Sequence, residues 1–338
     1  MLQPTFDFID LDPAEDPKIP DKEIDPREYD DVIVAFSGGK DSVACVLNLI
    51  ETGVKPELWH HDVDGKGENF FDWPCTEGYV QAFANHLGLP LYMSWREGGI
   101  EGEMIKENDR TKPVFYETPD GVKKSGGERG KIATRRKWPA VSADLRVRWC
   151  SAVAKIDVFS AAIAGQERFK GKKILVVTGE RREESTARSK YQKSEPHRSN
   201  APGKIARRQV THWRPIIDWT EAQVWDIIAK HGIVPHPCYR LGFSRASCMI
   251  CIFSSANQAA AVKMLDPQRF EKVVGYEKSF NHTIRSDIGW SDLVKKANPI
   301  SFDTEIAALA MSREYNEPIF TTNWTMPAGA FGEACGPN

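Results

Sequence analysis

No run of apolar residues in this chain approaches the ~20 that a helix needs to cross a bilayer. The opening Met1-Leu2-Gln3-Pro4 leads into acidic sequence and lacks the basic-then-apolar order of a secretory leader. Internal repeats and low-complexity segments are also missing. The expectation is a cytoplasmic globular protein with no membrane partner. Thiols stay reduced in that compartment, so the seven cysteines among 338 residues suit metal or redox chemistry better than disulfides. A net charge of any size is absent too, since 45 Lys and Arg face 47 Asp and Glu.

That balance conceals segregation. Residues 1–31 hold eleven acids against Lys18, Lys22 and Arg27. Residues 121–155 hold ten Lys and Arg against Glu128 and Asp144, and residues 181–214 hold ten against Glu183, Glu184 and Glu195. Two basic blocks in a neutral chain suggest a local anionic partner, nucleic acid being the one expected. The plainer alternative is a pair of solvated loops.

The acidic, Pro-rich residues 1–30 read as an arm. From Asp31 a β/α rhythm begins. Val32–Phe36 is a short apolar run, followed by a helix over Ser42–Glu51 with Val43, Val46, Leu47 and Ile50 on one face. Strands are predicted at 57–61, 89–94, 173–178 and 212–216, and helices at 76–87, 150–164 and 221–230. Residues 106–148 read as a basic insertion. Strands and helices that alternate this way predict an α/β fold with a doubly wound parallel sheet. The rhythm stops near Pro235. Residues 236–338 then form a Cys-bearing loop and helices near 258–265, 267–280 and 304–315, so the expected units are 1–30, 31–235 and 236–338.

Ser37-Gly38-Gly39-Lys40-Asp41-Ser42 lies between the first strand and the first helix. Glycines allow a tight turn that gathers backbone N–H groups on one anion, and the helix adds its unpaired amides and positive dipole end. Ser37 and Ser42 bring hydroxyls and Lys40 a charge, while Asp41 beside phosphate requires a cation such as Mg²⁺ or an N-cap role. A Walker A loop is excluded, because Val34 and Asp41 stand where it needs Gly and Ser or Thr. The run matches the SGGxDS loop of the ATP pyrophosphatase superfamily. That likeness implies cleavage of ATP between its α and β phosphates and transfer of AMP to a substrate oxygen, which a nitrogen or sulfur nucleophile then displaces.

A second anchor follows the strand ending at Thr178. Gly179-Glu180-Arg181-Arg182-Glu183-Glu184-Ser185-Thr186-Ala187-Arg188 lies at a strand's carboxyl end, where such sheets hold ligands, and its arginines suit phosphate or sulfate. This stretch resembles the G-x-R-x-x-E-S-x-x-R motif of the phosphoadenosine phosphosulfate reductase family. The resemblance continues through Trp213-Arg214-Pro215-Ile216, Val224-Trp225, Gly232 with His236-Pro237-Cys238-Tyr239, and Arg245–Cys251. It covers about residues 31–255. The family's sulfonucleotide reductases usually lack the full loop and carry their catalytic thiol in a C-terminal Glu-Cys-Gly-Leu-His motif. Here the loop is complete, and the tail reads Glu333-Ala334-Cys335-Gly336-Pro337-Asn338. The pattern is more similar to the ATP-using branch typified by the Dnd-type sulfurtransferase of DNA phosphorothioation, with Arg148-Trp149-Cys150 before a helix.

Cys238, Cys248 and Cys251 form C-x9-C-x2-C, and Cys150 supplies a fourth thiol. Spacing alone leaves Zn²⁺ and an iron–sulfur cluster both open, with redox or buried structural thiols as a further alternative. The resemblance favours [4Fe–4S]. It also implies that Asp62 and Asp64, after the second strand, hold the ribose or adenine edge. The expected catalytic group is Lys40, Asp41, Arg181 and Arg188. The expected nucleotide site adds Ser37, Gly38, Gly39, Ser42, Asp62, Asp64 and Gly179. His60 and His61 read as packing residues, Cys45 as core, and Cys75 as a possible sulfur carrier. The function expected is adenylation with pyrophosphate release and sulfur transfer to nucleic acid, DNA ahead of tRNA, fed by a donor such as a cysteine desulfurase. The rivals are a sulfonucleotide reductase using Cys335 and a non-catalytic nucleotide-sensing or nucleic-acid-binding protein.

Overall fold

The computed structural model describes residues 23–142, 144–246, 248–285, 287–298 and 301–332. Its frame is β1 (Asp31–Ala35), α1 (Lys40–Glu51), β2 (Glu57–Asp62), α2 (Thr76–Leu87), β3 (Leu91–Arg96) and α3 (Gly99–Met104). A hairpin of β4 (Val114–Thr118) and β5 (Gly121–Ser125) follows, then α4 (Trp149–Ser151), a π-turn over Ala152–Ile156, and α5 (Asp157–Ala164). The second half of the sheet comprises β6 (Lys173–Val177), β7 (Ser194–Pro196) and β8 (Gln209–Trp213), followed by α6 (Glu221–Lys230). The remainder is helical: α7 (Pro237–Arg240), α8 (Ala256–Leu265), α9 (Pro267–Phe280), α10 (Trp290–Leu293) and α11 (Thr304–Ala310).

One eight-stranded sheet runs in the order β5-β4-β3-β2-β1-β6-β8-β7. β1, β2, β3, β6 and β8 are parallel, whereas β4, β5 and β7 run against their neighbours. Both faces are covered. Val32, Val34, Leu58 and Val177 share a core with α1 and α2. Ile33, Trp59, Ile174 and Val176 pack against Phe159, Ile163 and Phe169 on the other side. Buried alternation on two faces explains why the parallel strands read as continuous apolar runs.

Three features depart from the sequence reading. The 106–148 insertion contains the β4–β5 hairpin. β5 reads Gly-Val-Lys-Lys-Ser and is exposed over its first four residues, so no apolar alternation announces it. β7 is a three-residue edge strand held by β8. The predicted helix 150–164 is interrupted by the π-turn, a local widening that periodicity cannot signal. Among the described residues no helix is long and apolar enough to cross a membrane.

Candidate functional site at the sheet's carboxyl edge

The strand order reverses between β1 and β6, the place where open α/β sheets bind ligands. Both anchors read from the sequence flank that point. After β1, Gly38 adopts φ +75°, and a Cβ there would stand 3.0 Å from Val80 and 3.2 Å from Tyr79. Conformation and space both require glycine. Ser42 Oγ donates to the Gly39 carbonyl at 2.9 Å, and the Ser37 N–H donates to Ser42 Oγ at 3.3 Å. The Gly39 N–H donates to Ser37 Oγ at 3.3 Å, and the Lys40 N–H donates to the Tyr239 hydroxyl at 2.9 Å. Three of the loop's amides, those of Ser37, Gly39 and Lys40, therefore rest on the protein's own oxygens.

After β6, Gly179 lets the second anchor touch the first, since a Cβ there would lie 2.9 Å from the Asp41 backbone. Arg181, almost fully buried, donates from Nε to Asp41 Oδ1 at 2.7 Å and also bonds Glu183. Arg188 bonds Glu184. Lys40 Nζ lies 3.6 Å from Asp41, 3.5 Å from Glu221 and 3.3 Å from the Ser244 carbonyl. Burial pulls the Lys40 pKa down, but Tyr239, Asp41 and Glu221 outweigh it and leave the pKa raised. Burial likewise opposes the charge of Arg181, and Asp41 reverses the balance. The buried Lys40 and Arg181 thus form one chain of ion pairs through the partly exposed Asp41, and Arg188 pairs with Glu184 within the second anchor.

Ser37 opens onto a cavity of about 720 Å³ over the ends of β1, β2, β6 and β8. An aromatic wall follows His61, Phe159, His197 and His212, with successive ring centroids 5.2, 5.7 and 5.8 Å apart. Burial lowers His61 to about 3 and His197 to about 4, so both rings are neutral near pH 7. Beside them, His212 Nε2 bonds the Thr178 hydroxyl at 2.7 Å, and that hydroxyl bonds Glu180. Burial opposes the Glu180 charge, but His212 and Arg214 hold its pKa down.

The sequence reading missed several cavity residues, Phe159, His197 and His212 of the wall among them, together with the titratable Lys155 and Asp72. Lys155, on the π-turn, lines the cavity, and its ammonium has no ion-pair or hydrogen-bond partner among the described residues. Its charge eases ionisation of Cys150 and Cys248, which burial pushes the other way, Cys150 reaching about 11. Its signal was its place as the last cation of the 121–155 block. Asp72 is raised to about 7 by burial and by Asp64, and no motif marks it.

Asp62 and Asp64 are placed otherwise than expected. The Asp62 carboxylate accepts the N–H groups of Asp64, Gly65 and Lys66 at 2.8, 3.1 and 2.9 Å. Asp64 accepts those of Phe71 and Asp72 at 2.7 and 2.9 Å. Both are turn-holding carboxylates, and they line a separate cavity of about 360 Å³. Each carboxylate keeps acceptor capacity beyond these bonds, but Asp62 and Asp64 are absent from the lining of the main cavity.

The four-thiol site is not assembled either. Cys238 Sγ lies 3.1 Å from His236 Nδ1, while His236 Nε2 lies 3.6 Å from Cys75 Sγ. The Cys238 N–H also donates to Nδ1 at 3.3 Å, which leaves the proton of this neutral ring on Nε2. Burial lowers His236 to about 3 and pushes both neighbouring thiols far up. Burial first, with the neighbouring Cys251 adding to it, opposes ionisation of Cys150 and Cys248 instead, and Cys248 lines the main cavity. Among the described residues no three His, Cys, Asp or Glu side chains are set to hold a metal ion. A four-thiolate [4Fe–4S] or Zn²⁺ centre on Cys150, Cys238, Cys248 and Cys251 does not fit, because α7 turns Cys238 toward His236. Cys45 is fully buried in α1, and Cys335 lies outside the described residues.

A phosphate-type loop and an arginine anchor at the switch point of a mostly parallel sheet define a nucleotide-binding α/β protein. The chain belongs to the phosphoadenosine phosphosulfate reductase domain family, whose profile matches residues 31–254. It is 29% identical over 277 residues to an uncharacterized 37.8 kDa protein of Escherichia phage 186, covering 73% of this chain and 74% of that one. Adenosine 5'-phosphosulfate reductase of Burkholderia cepacia is 24% identical over 48% of this chain and 60% of its own length. The same-named protein of Neisseria meningitidis serogroup B is 30% identical over 31% of this chain and 36% of its own. The chain therefore spans less than two thirds of either reductase. The solved structure of Candida glabrata FMN adenylyltransferase with FMN and an ATP analogue aligns over 64% of this chain and 55% of that one. At 11% identity and a TM-score of 0.36 this likeness is too slight to carry an argument.

Proposed function

We propose that the chain is an ATP-dependent adenylating enzyme that supports sulfur transfer. The observation that carries this reading is the complete Ser37–Ser42 loop, between a buried strand and a helix, opening at Ser37 onto the 720 Å³ cavity. In this reading the β and γ phosphates of ATP rest on the loop amides, with Arg181 and Arg188 behind them. Magnesium arrives as the ATP complex, and the partly exposed Asp41 is the carboxylate beside it. A substrate oxygen attacks the α phosphorus, the bond to the bridging oxygen breaks, and pyrophosphate leaves. The adenosine end then faces the neutral wall of His61, Phe159 and His197. A sulfur nucleophile afterwards displaces AMP. Cys248 and Lys155, which share the cavity, are the side chains that support that half of the reading.

Nucleic acid is the proposed acceptor, DNA ahead of tRNA as the Dnd-type resemblance implies, and a cysteine desulfurase the proposed source of sulfur. Residues 126–148 leave β5 at the cavity's edge of the sheet, and the exposed Arg129, Lys131 and Lys137 form no ion pair among the described residues. Such cations suit a phosphate backbone. The names of the reductase relatives favour a second reading, reduction of a sulfonucleotide. An anaerobic pyrophosphate-release assay with duplex DNA, tRNA or adenosine 5'-phosphosulfate separates the two. Stimulation by DNA, lost in Asp41→Ala, is the expected result. Sulfite from the sulfonucleotide without pyrophosphate release from ATP would replace the first reading with the second.

A further inference from the structure

The Lys40 N–H is the first amide of α1, in the position from which a helix's opening turn grips an anion. A side chain already holds it. Tyr239, from α7, lies 199 residues further along the chain and brings its hydroxyl oxygen to 2.9 Å from that nitrogen. Tyr239 is 2% exposed and Lys40 6%. Burial pushes the Tyr239 pKa up to about 12, so the oxygen is that of a neutral phenol. A second contact comes from the same segment, whose Ser244 carbonyl accepts from Lys40 Nζ at 3.3 Å. The Ala246 Cβ and the Tyr239 hydroxyl lie 3.5 and 3.4 Å from where a Gly39 Cβ would stand. Residues 237–246 therefore cross the phosphate loop as a strap.

We propose that this strap is displaced by the nucleotide's phosphates, with the Tyr239 hydroxyl occupying the place of a phosphate oxygen until they arrive. The inference rests on the phosphate-loop reading above and adds a coupling to it. A phosphate oxygen and the phenol oxygen cannot share one N–H at hydrogen-bond distance. The incoming anion brings charge-assisted bonds, which are stronger than the neutral one it replaces. The strap is pinned at separable points: the Gly329 N–H donates to the Tyr239 carbonyl at 2.7 Å, and Phe243 packs edge-on against Trp73 at 4.8 Å. It leads directly to Cys248 and Cys251, so movement of Tyr239 shifts the thiols beside the cavity. Loop occupancy and thiol placement become one event, and sulfur chemistry waits for the nucleotide.

Tyr239→Phe removes the competing oxygen and keeps the ring against Trp225, 5.1 Å away. Titration calorimetry of the full chain with inorganic pyrophosphate is expected to show roughly three- to tenfold tighter binding in Tyr239→Phe than in the wild type, the worth of one neutral hydrogen bond. Equal or weaker binding by the variant would overturn the strap and leave the phosphate-loop reading standing. No binding to either protein would overturn both. Hydrogen exchange of the wild-type protein gives a second readout that needs no variant. Pyrophosphate should speed exchange in a peptide covering 237–246 while slowing Lys40–Ser42. Unchanged or slower exchange in that peptide would also overturn the strap.

Discussion

Two groups of thiols, both raised in pKa by burial, face different surroundings. Cys75 and Cys238 bracket the buried His236 and open onto nothing large, whereas Cys248 lines the main cavity with Lys155, near Cys150 and Cys251. The C-x9-C-x2-C spacing hides this division, because α7 and the strap come between its first cysteine and the other two. Burial raises the pKa of Cys75, Cys150, Cys238 and Cys248, with Cys248 and Cys238 alike well above the ordinary value. Lys155 offsets part of the rise at Cys150 and Cys248, and Lys40 part of it at Cys238. What separates the groups is that Cys248 faces the cavity. The comparison teaches that a cysteine's chemistry follows the wall it faces.

Four measurements break or sharpen that contrast. The largest effect is expected from Cys248→Ser, which should lower sulfur transfer at least ~100-fold, while Cys75→Ser stays within a few-fold of wild type. Equal losses in an assay of sulfur incorporation would merge the two groups. Next comes pH. The folded pKa of His236, about 3, lies below its unfolded value of 6.5, so its contribution is complete above pH 6.5 and is lost as pH falls toward 3. At pH 5 the loss is about 2 kcal/mol. Asp72 acts in the opposite sense, because its raised pKa of about 7 makes its contribution grow as pH falls below 7. In His236→Asn, urea unfolding should therefore show stability at pH 5, taken relative to pH 7, about 2 kcal/mol higher than in the wild type. An unchanged slope would show that the ring is not held neutral. A smaller effect is expected from Lys155→Met, which should slow alkylation of Cys248 at pH 8 several-fold and leave Cys75 untouched, as read by peptide mapping. The smallest concerns metal. After anaerobic treatment with iron and sulfide, Cys238→Ser should bind the same iron per chain as the wild type. A loss of iron would return Cys238 to the open group.

Much of the fold could be read from the sequence because its signals are local. The β1 run, the glycine pair and the α1 stripe occupy twenty consecutive residues, and each obeys a short-range rule. Gly179 and Arg181 belong to the same class, since a strand's carboxyl end is where ligand loops follow. The β4–β5 hairpin was not legible, because Lys123 and Lys124 stand on an exposed edge where no core imposes alternation. Asp62 and Asp64 looked like ligand carboxylates from their position alone, yet which backbone amides they cap depends on how residues 65–72 return. Tyr239 at the phosphate loop and Cys238 at His236 are contacts between segments far apart in the chain, and no spacing rule reaches that far.

The central claim is that the Ser37–Ser42 loop directs cleavage to the α–β bond of ATP. Chromatography of products from α-labelled ATP, incubated anaerobically with magnesium and the stimulating nucleic acid, tests it most directly. The account predicts that the label appears as AMP or an adenylated acceptor, with an equal amount of pyrophosphate and no ADP. Label recovered as ADP with free phosphate would contradict it.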